Sequence, residues 1–180
     1  MTSLFIDISQ RQHASLSHEG LVVQVGELGL VGIDLVTTAH SRARIISLAR
    51  SGSIAFGYTA LWIHTGNQAG TVRTKLETSL PDSQFVRRKK YSEEDLQKMG
   101  SIMVTTPERT LLDLLLHNTA DALANVYSLV KAGCDLDAVA RRAGELNSLH
   151  GIGQARAIAR QLPASVDTRR SDSRFEPTTR

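Results

Sequence analysis

Residues 104–114, Val-Thr-Thr-Pro-Glu-Arg-Thr-Leu-Leu-Asp-Leu, constrain this chain more than any other stretch, because they specify the end of a strand and the start of a helix with almost nothing between. Thr105 or Thr106 can cap that helix, and Pro107 suits its first turn, where a backbone donor is not needed. Glu108 stands three residues after Thr105, where a reciprocal capping box would place it, so two cap registers compete. Arg109 and Asp113 are four apart and can pair on the helix surface, while Leu111, Leu112 and Leu115 form an apolar face. No catalytic logic is visible in the segment, and a well-capped core helix accounts for it.

With 180 residues, 41% of them hydrophobic, the chain can bury a substantial core as one domain or one domain with a small appendage. Its longest apolar runs fall well short of the roughly 20 residues that span a bilayer, and Met1 to Asp7 lacks a basic region followed by a long apolar one. Cytoplasmic residence without a membrane partner is expected. The single cysteine, Cys134, excludes an internal disulfide and a Cys-rich zinc site, and it reads better as an incidental small residue in a turn than as a nucleophile.

Hydrophobic patterning predicts an α+β fold: a small mixed β-sheet with an N-terminal hairpin, and a C-terminal helical subdomain of three to four amphipathic helices. Leu21 to Val25 and Leu28 to Ile33 are rich in β-branched residues and flank a Gly-containing turn, the pattern of a hairpin. A helix is expected over 38–50, stopped by Ser51-Gly52, then a short strand over 54–56 and a helix over 58–64 ended by Gly66. Trp62 is the only tryptophan and suits a core anchor. Strands are expected over 71–76, 84–90 and 101–105. Three helical faces follow: Leu123, Val126, Tyr127 and Val130; Leu136, Val139, Ala140 and Ala143; Ala155, Ile158, Ala159 and Leu162. Gly133 closes the first of these helices, Asp135 caps the second and Pro163 is expected to terminate the third, leaving a polar, mobile tail over 164–180.

The chemistry-bearing residues are sparse. The six histidines never pair at helical ligand spacing, so neither a metal nor another cofactor is expected. The glycines between Gly26 and Gly32 lack the Lys-Ser/Thr of a phosphate loop, and no serine sits in a nucleophile elbow. Charge is more informative. The net charge is +3, yet between Asp34 and Glu77 there is no acidic residue, while Arg42, Arg44, Arg50, Arg73 and Lys75 all lie there. Arg87, Arg88, Lys89 and Lys90 close an expected strand, where they either touch phosphates or blunt a sheet edge. Arg141, Arg142, Arg156 and Arg160, against a lone Glu145, spread over the last two helices and suit nucleic acid or an acidic protein surface.

Three blocks in order give these features a family likeness. Residues 104–114 resemble the hallmark segment of AbiEi-family antitoxins of type IV toxin-antitoxin systems and of related actinobacterial transcriptional regulators, with Thr105, Thr106, Pro107, Arg109 and Asp113 as signature positions. Residues 52–66, Gly-Ser-Ile-Ala-Phe-Gly-Tyr-Thr-Ala-Leu-Trp-Ile-His-Thr-Gly, resemble the family's strand, turn and small helix. Residues 149–156, Leu-His-Gly-Ile-Gly-Gln-Ala-Arg, resemble the glycine-led start of its last helix. The resemblance implies a non-catalytic antitoxin and transcriptional regulator, which opposes a nucleotidyltransferase-like toxin and represses its own operon through an N-terminal winged helix. Its link to the toxin would be functional, with no stable complex required. Residues 1–35 would then be a shortened winged-helix segment whose hairpin is the wing, and 36–163 the antitoxin domain. Only 20 residues precede the hairpin, fewer than the helices of a winged domain require, so operator reading is expected to be curtailed. Some relatives carry a nuclease-like domain after the last helix; Ser171 to Pro177 stand where it would begin, and no nuclease activity is expected. A stand-alone DNA-binding repressor and a protein-interaction module from a decayed regulator are the alternatives.

Overall fold

The computed structural model describes residues 15–68, 76–81, 83, 89 and 91–172. Its first sheet is the expected hairpin: β1 (Val22–Val25) runs antiparallel to β2 (Gly29–Gly32), with Val22 opposite Gly32 and Val25 opposite Gly29. A 3-10 turn, Gly26–Leu28, joins the two strands. A second 3-10 piece, Ile33–Val36, leads into α1 (Ala39–Arg50). This helix starts on a reciprocal box: the Thr38 hydroxyl accepts from the Ser41 N–H at 3.1 Å, and the Ser41 hydroxyl accepts from the Thr38 N–H at 3.0 Å.

The second sheet comprises β3 (Ile54–Ala55), β4 (Thr78–Ser79), β5 (Leu96–Met99) and β6 (Ile102–Thr105), in the order β4-β3-β6-β5. The β3–β6 pair is parallel and the other two pairs are antiparallel, so the sheet is mixed, as the patterning predicts. Between β3 and β4 lies α2 (Gly57–Thr65), closed by Gly66 at φ 80° with its N–H bonded to the Trp62 carbonyl. Neither β4 nor β5 is expected from the sequence. β4 has only two residues, and Leu96-Gln97-Lys98-Met99 carries no β-branched side chain; its place is fixed by the tight Gly100-Ser101 turn into β6, with Gly100 at φ 64°. Of the expected strands over 71–76 and 84–90, residues 71–75, 84–88 and 90 lie outside the described residues. Leu76 is not in a strand, and Lys89 is helical.

Four helices follow among the described residues: α3 (Pro107–His117), α4 (Thr119–Lys131), α5 (Leu136–Glu145) and α6 (Ile152–Asp172). At their centre α3 packs against α2, α4, α5 and α6. Trp62, Leu111, Leu112, Leu114 and Leu129 are fully buried there, and Val25, Val31 and Val36 belong to the same core. The expected division at residue 35 therefore falls between Val31 and Val36, which share this core.

Two helical expectations need correction. The buried face of α4 is Ala122, Asn125, Val126 and Leu129, whereas Leu123 and Tyr127 are 46% and 37% exposed. Asn125 causes the rotation: it is buried because its amide bonds the Asp121 carbonyl and accepts from Asn67, and a polar residue with satisfied partners can sit in a core. Pro163 does not end α6, which continues to Asp172 and so takes in the start of the expected tail. Proline forfeits one backbone hydrogen bond inside a helix without forbidding further turns.

Candidate functional site: a buried arginine network and the cavity beside it

The signature segment resolves its cap in favour of Thr106, whose hydroxyl accepts from the Arg109 N–H at 3.3 Å. Thr105 is the last residue of β6; its hydroxyl is buried 2.8 Å from that of Thr110. Glu108 therefore makes no box with Thr105. It reaches across instead to accept from the Asp135 N–H at 2.9 Å, tying the start of α3 to the start of α5.

Arg109 and Asp113 do pair, at 3.3 Å, but not on a surface: they are only 1% and 2% exposed. The guanidinium also meets Asp95 at 3.0 Å, donates to the Lys89 carbonyl and lies 4.5 Å over the Tyr91 ring. Asp113 uses its second oxygen to accept from the Tyr91 hydroxyl at 2.8 Å, and Lys89 Nζ stands 3.9 Å from its first. Asp95 is the other hub. It accepts from the Ser92 N–H and takes two contacts from Arg142, at 2.8 and 2.7 Å. Burial opposes the Asp95 charge, but the bonds from Arg142 and Ser92 and the Arg109 charge outweigh it and hold the carboxyl below its usual range. Every strong donor in this cluster meets an acceptor, which is what a buried ionic group requires.

Several cations expected to bind a partner are thus structural. Arg42 is 7% exposed and donates to the Val36, Ile63 and His64 carbonyls, fastening α1 to α2. Arg142 is committed to Asp95, Ser92 and Glu145. Arg156 donates to the Ala143 and Leu146 carbonyls at 3.0 Å each, satisfying the C-terminal end of α5. Arg50 pairs with Glu27 at 2.7 Å, so the acid-free stretch is partly neutralised from the hairpin. Arg44 on α1, Arg141 on α5 and Arg160 on α6 are exposed and distributed over three helices. Arg87, Arg88 and Lys90 lie outside the described residues.

A cavity of about 190 Å³ adjoins the network, between the start of α2 and the later half of α3, with Phe56, Glu77, Lys89, Leu114 and His117 in its walls. Glu77 is fixed by three bonds: its carboxylate accepts from the Tyr58 N–H at 2.5 Å, its N–H donates to the Thr59 hydroxyl and its carbonyl accepts from the Phe56 N–H. Gly57, at φ 54°, makes this approach possible, because a Cβ there would stand 2.0 Å from the Glu77 Oε2. Burial raises the Glu77 carboxyl above its usual value, against the lowering effect of the Tyr58 N–H. Beside it the Tyr58 hydroxyl donates to Asp121 at 2.6 Å, and burial with that carboxylate pushes the phenol up to about 12.

Asp95, Tyr91, Glu77 and Tyr58 are absent from the sequence-derived candidates. Asp95 carries a legible signal, since Ser92-x-x-Asp95 is a capping pattern and the box forms around the 3-10 piece Glu93–Asp95. Glu77 has none, because its role depends on a glycine twenty residues earlier. Cys134 is buried, and burial with the nearby Glu108 and Asp135 pushes its thiol up to about 12, which disfavours the nucleophilic thiolate. Among the described residues no group of three or more His, Cys, Asp or Glu could hold a metal, and no helix is long and apolar enough to cross a membrane. The chain matches no family model, no curated protein and no solved structure.

Proposed function

We propose that this chain is a non-catalytic regulator of the AbiEi-like antitoxin kind, which opposes a nucleotidyltransferase-like toxin and contributes to control of its own operon. One observation carries the reading: the three sequence blocks that resemble the family, far apart along the chain, converge on α3. Ala55 of the first block pairs with Val104, the first residue of the second, and Ile54 pairs with Met103 just before it. The first block's helix α2 packs on α3, and the third block opens α6, where a Cβ built on Gly151 would stand 3.9 Å from Leu116 and Ile152 and Ala155 are buried. A likeness confined to scattered surface positions would have no reason to converge in this way. Such convergence is expected when sequence likeness marks a shared core.

Contact with DNA or a partner would then fall to the exposed Arg44, Arg141 and Arg160, since Arg42, Arg142 and Arg156 are engaged internally. The test is growth of cells expressing the protein encoded beside this chain's gene, with and without this chain. Arrest relieved by co-expression is the expected result. If the neighbouring protein is toxic and this chain gives no relief, or if no toxicity exists to oppose, the antitoxin reading fails.

A further inference from the structure

Residues 76–79 lie along the β3 edge with little sheet pairing to hold them there. Their ladder is two residue pairs long, Ile54 with Ser79 and Ala55 with Thr78, and pairing so short contributes little by itself. Of the four side chains only Leu76 is buried; Glu77, Thr78 and Ser79 are half-buried. The attachment comes instead from Leu76 and Glu77. The Leu76 N–H donates to Glu27 Oε2 at 3.0 Å, and the Leu76 side chain seats over Gly26, where a Cβ would stand 2.8 Å from its Cγ. Glu27 is itself held through its other oxygen by Arg50 at 2.7 Å. Glu77 fastens the same segment to the start of α2, through its N–H to the Thr59 hydroxyl at 2.7 Å and its Oε2 to the Tyr58 N–H. The N-cap residue of α2, Phe56, supplies no side-chain cap, so Glu77 provides from a distance the acceptor that a helix start ordinarily finds beside it.

Two consecutive residues thus grip two different parts of the fold. Leu76 and Glu77 share a peptide bond, so the segment cannot leave Glu27 without pulling on the cap of α2. We infer that residues 76–79 form a strap that detaches as one unit, releasing the hairpin turn and uncapping α2 together, at a lower free energy than global unfolding. Segments with few buried apolar side chains and hydrogen bonds close to solvent are the ones that open first. Detachment bares one edge of β3, whose other edge is taken by β6, and leaves the Tyr58 N–H without its acceptor. An uncovered sheet edge is a template for another strand, so the strap governs access to it. This device is independent of the toxin-opposing role, and a failure of either leaves the other standing.

Native-state hydrogen exchange of the full chain in low urea, followed by NMR, reads the strap directly. The Tyr58, Leu76 and Glu77 amides should share one opening free energy and one urea dependence, both smaller than those of Leu112 and Leu114 in α3. Glu27→Ala alters a side chain that is 41% exposed, so the variant should fold. It should speed exchange at Tyr58 and Glu77 by about tenfold, the factor for one hydrogen bond to a charged acceptor, although neither amide bonds to Glu27. The inference is overturned if Tyr58 exchanges at the wild-type rate in Glu27→Ala, if the three amides open with separate free energies, or if they open only together with α3.

Discussion

His64 occupies the last turn of α2 with Nε2 2.7 Å from the Thr105 carbonyl oxygen, and since that oxygen can only accept, the nitrogen carries a proton. Burial is the main influence on the ring and disfavours its charged form; Arg42 acts in the same direction, Thr105 and Glu108 against it, and the net pKa is below 6.5. A histidine depressed on folding takes up more protons when unfolded, so its contribution is intact above pH 6.5 and is eroded as pH falls below that value. Glu77 works oppositely, because a raised carboxyl penalises the fold less as pH falls. The two are separated by replacing one. Urea midpoints at pH 7.5 and 5.5 should fall with acidification more steeply for the wild type than for His64→Gln, whose amide can still donate to Thr105. Equal pH dependence would remove the buried-histidine assignment. Spacing could not reveal this residue's part, since the Thr105 carbonyl lies in a strand forty-one positions away.

At the scale of elements, residues of one type divide into clips and bystanders. Arg156 and Arg160 are one turn apart on α6, yet Arg156 reaches back to the carbonyls that end α5 while Arg160 points to solvent. Replacing Arg156 with Met should cost about 1.5–3 kcal/mol, the usual worth of hydrogen bonds to a charged group, whereas Arg160→Glu should stay within about 0.5 kcal/mol. Thermal or urea unfolding of the two variants checks the split, and equal small effects would contradict it. The helices themselves were legible because caps and periodicity are local: Asp135, Gly66 and Gly133 all act where the sequence indicates. The faces of α5 and α6 were legible for the same reason, through Val139, Ala143, Ala155 and Ala159. What local pattern could not give was the α4 rotation around Asn125, or the identity of β4 and β5, which are held as strands by their neighbours.

Across the whole molecule, the Arg109 cluster joins pieces that hydrophobic contact alone would leave less firmly placed. Asp95 ends the 3-10 piece before β5, Asp113 and Arg109 belong to α3, and Arg142 belongs to α5; three regions meet over two carboxylates and two guanidinium groups. The signature Thr-Thr-Pro-Glu-Arg-Thr-Leu-Leu-Asp thus encodes a joint: Thr106 sets the helix register, and that register delivers Arg109 and Asp113 to the buried side. Its pairing distance was readable from sequence, but its depth was not, because Asp95, Tyr91 and Arg142 arrive from other segments. Removing one member of such a group strands opposite charges away from water. The most direct test is equilibrium urea unfolding of Arg109→Leu beside the wild type. A loss of about 3–5 kcal/mol, or failure to fold, is the result this arrangement requires; a loss below about 0.5 kcal/mol, the range of ordinary surface changes, would contradict it.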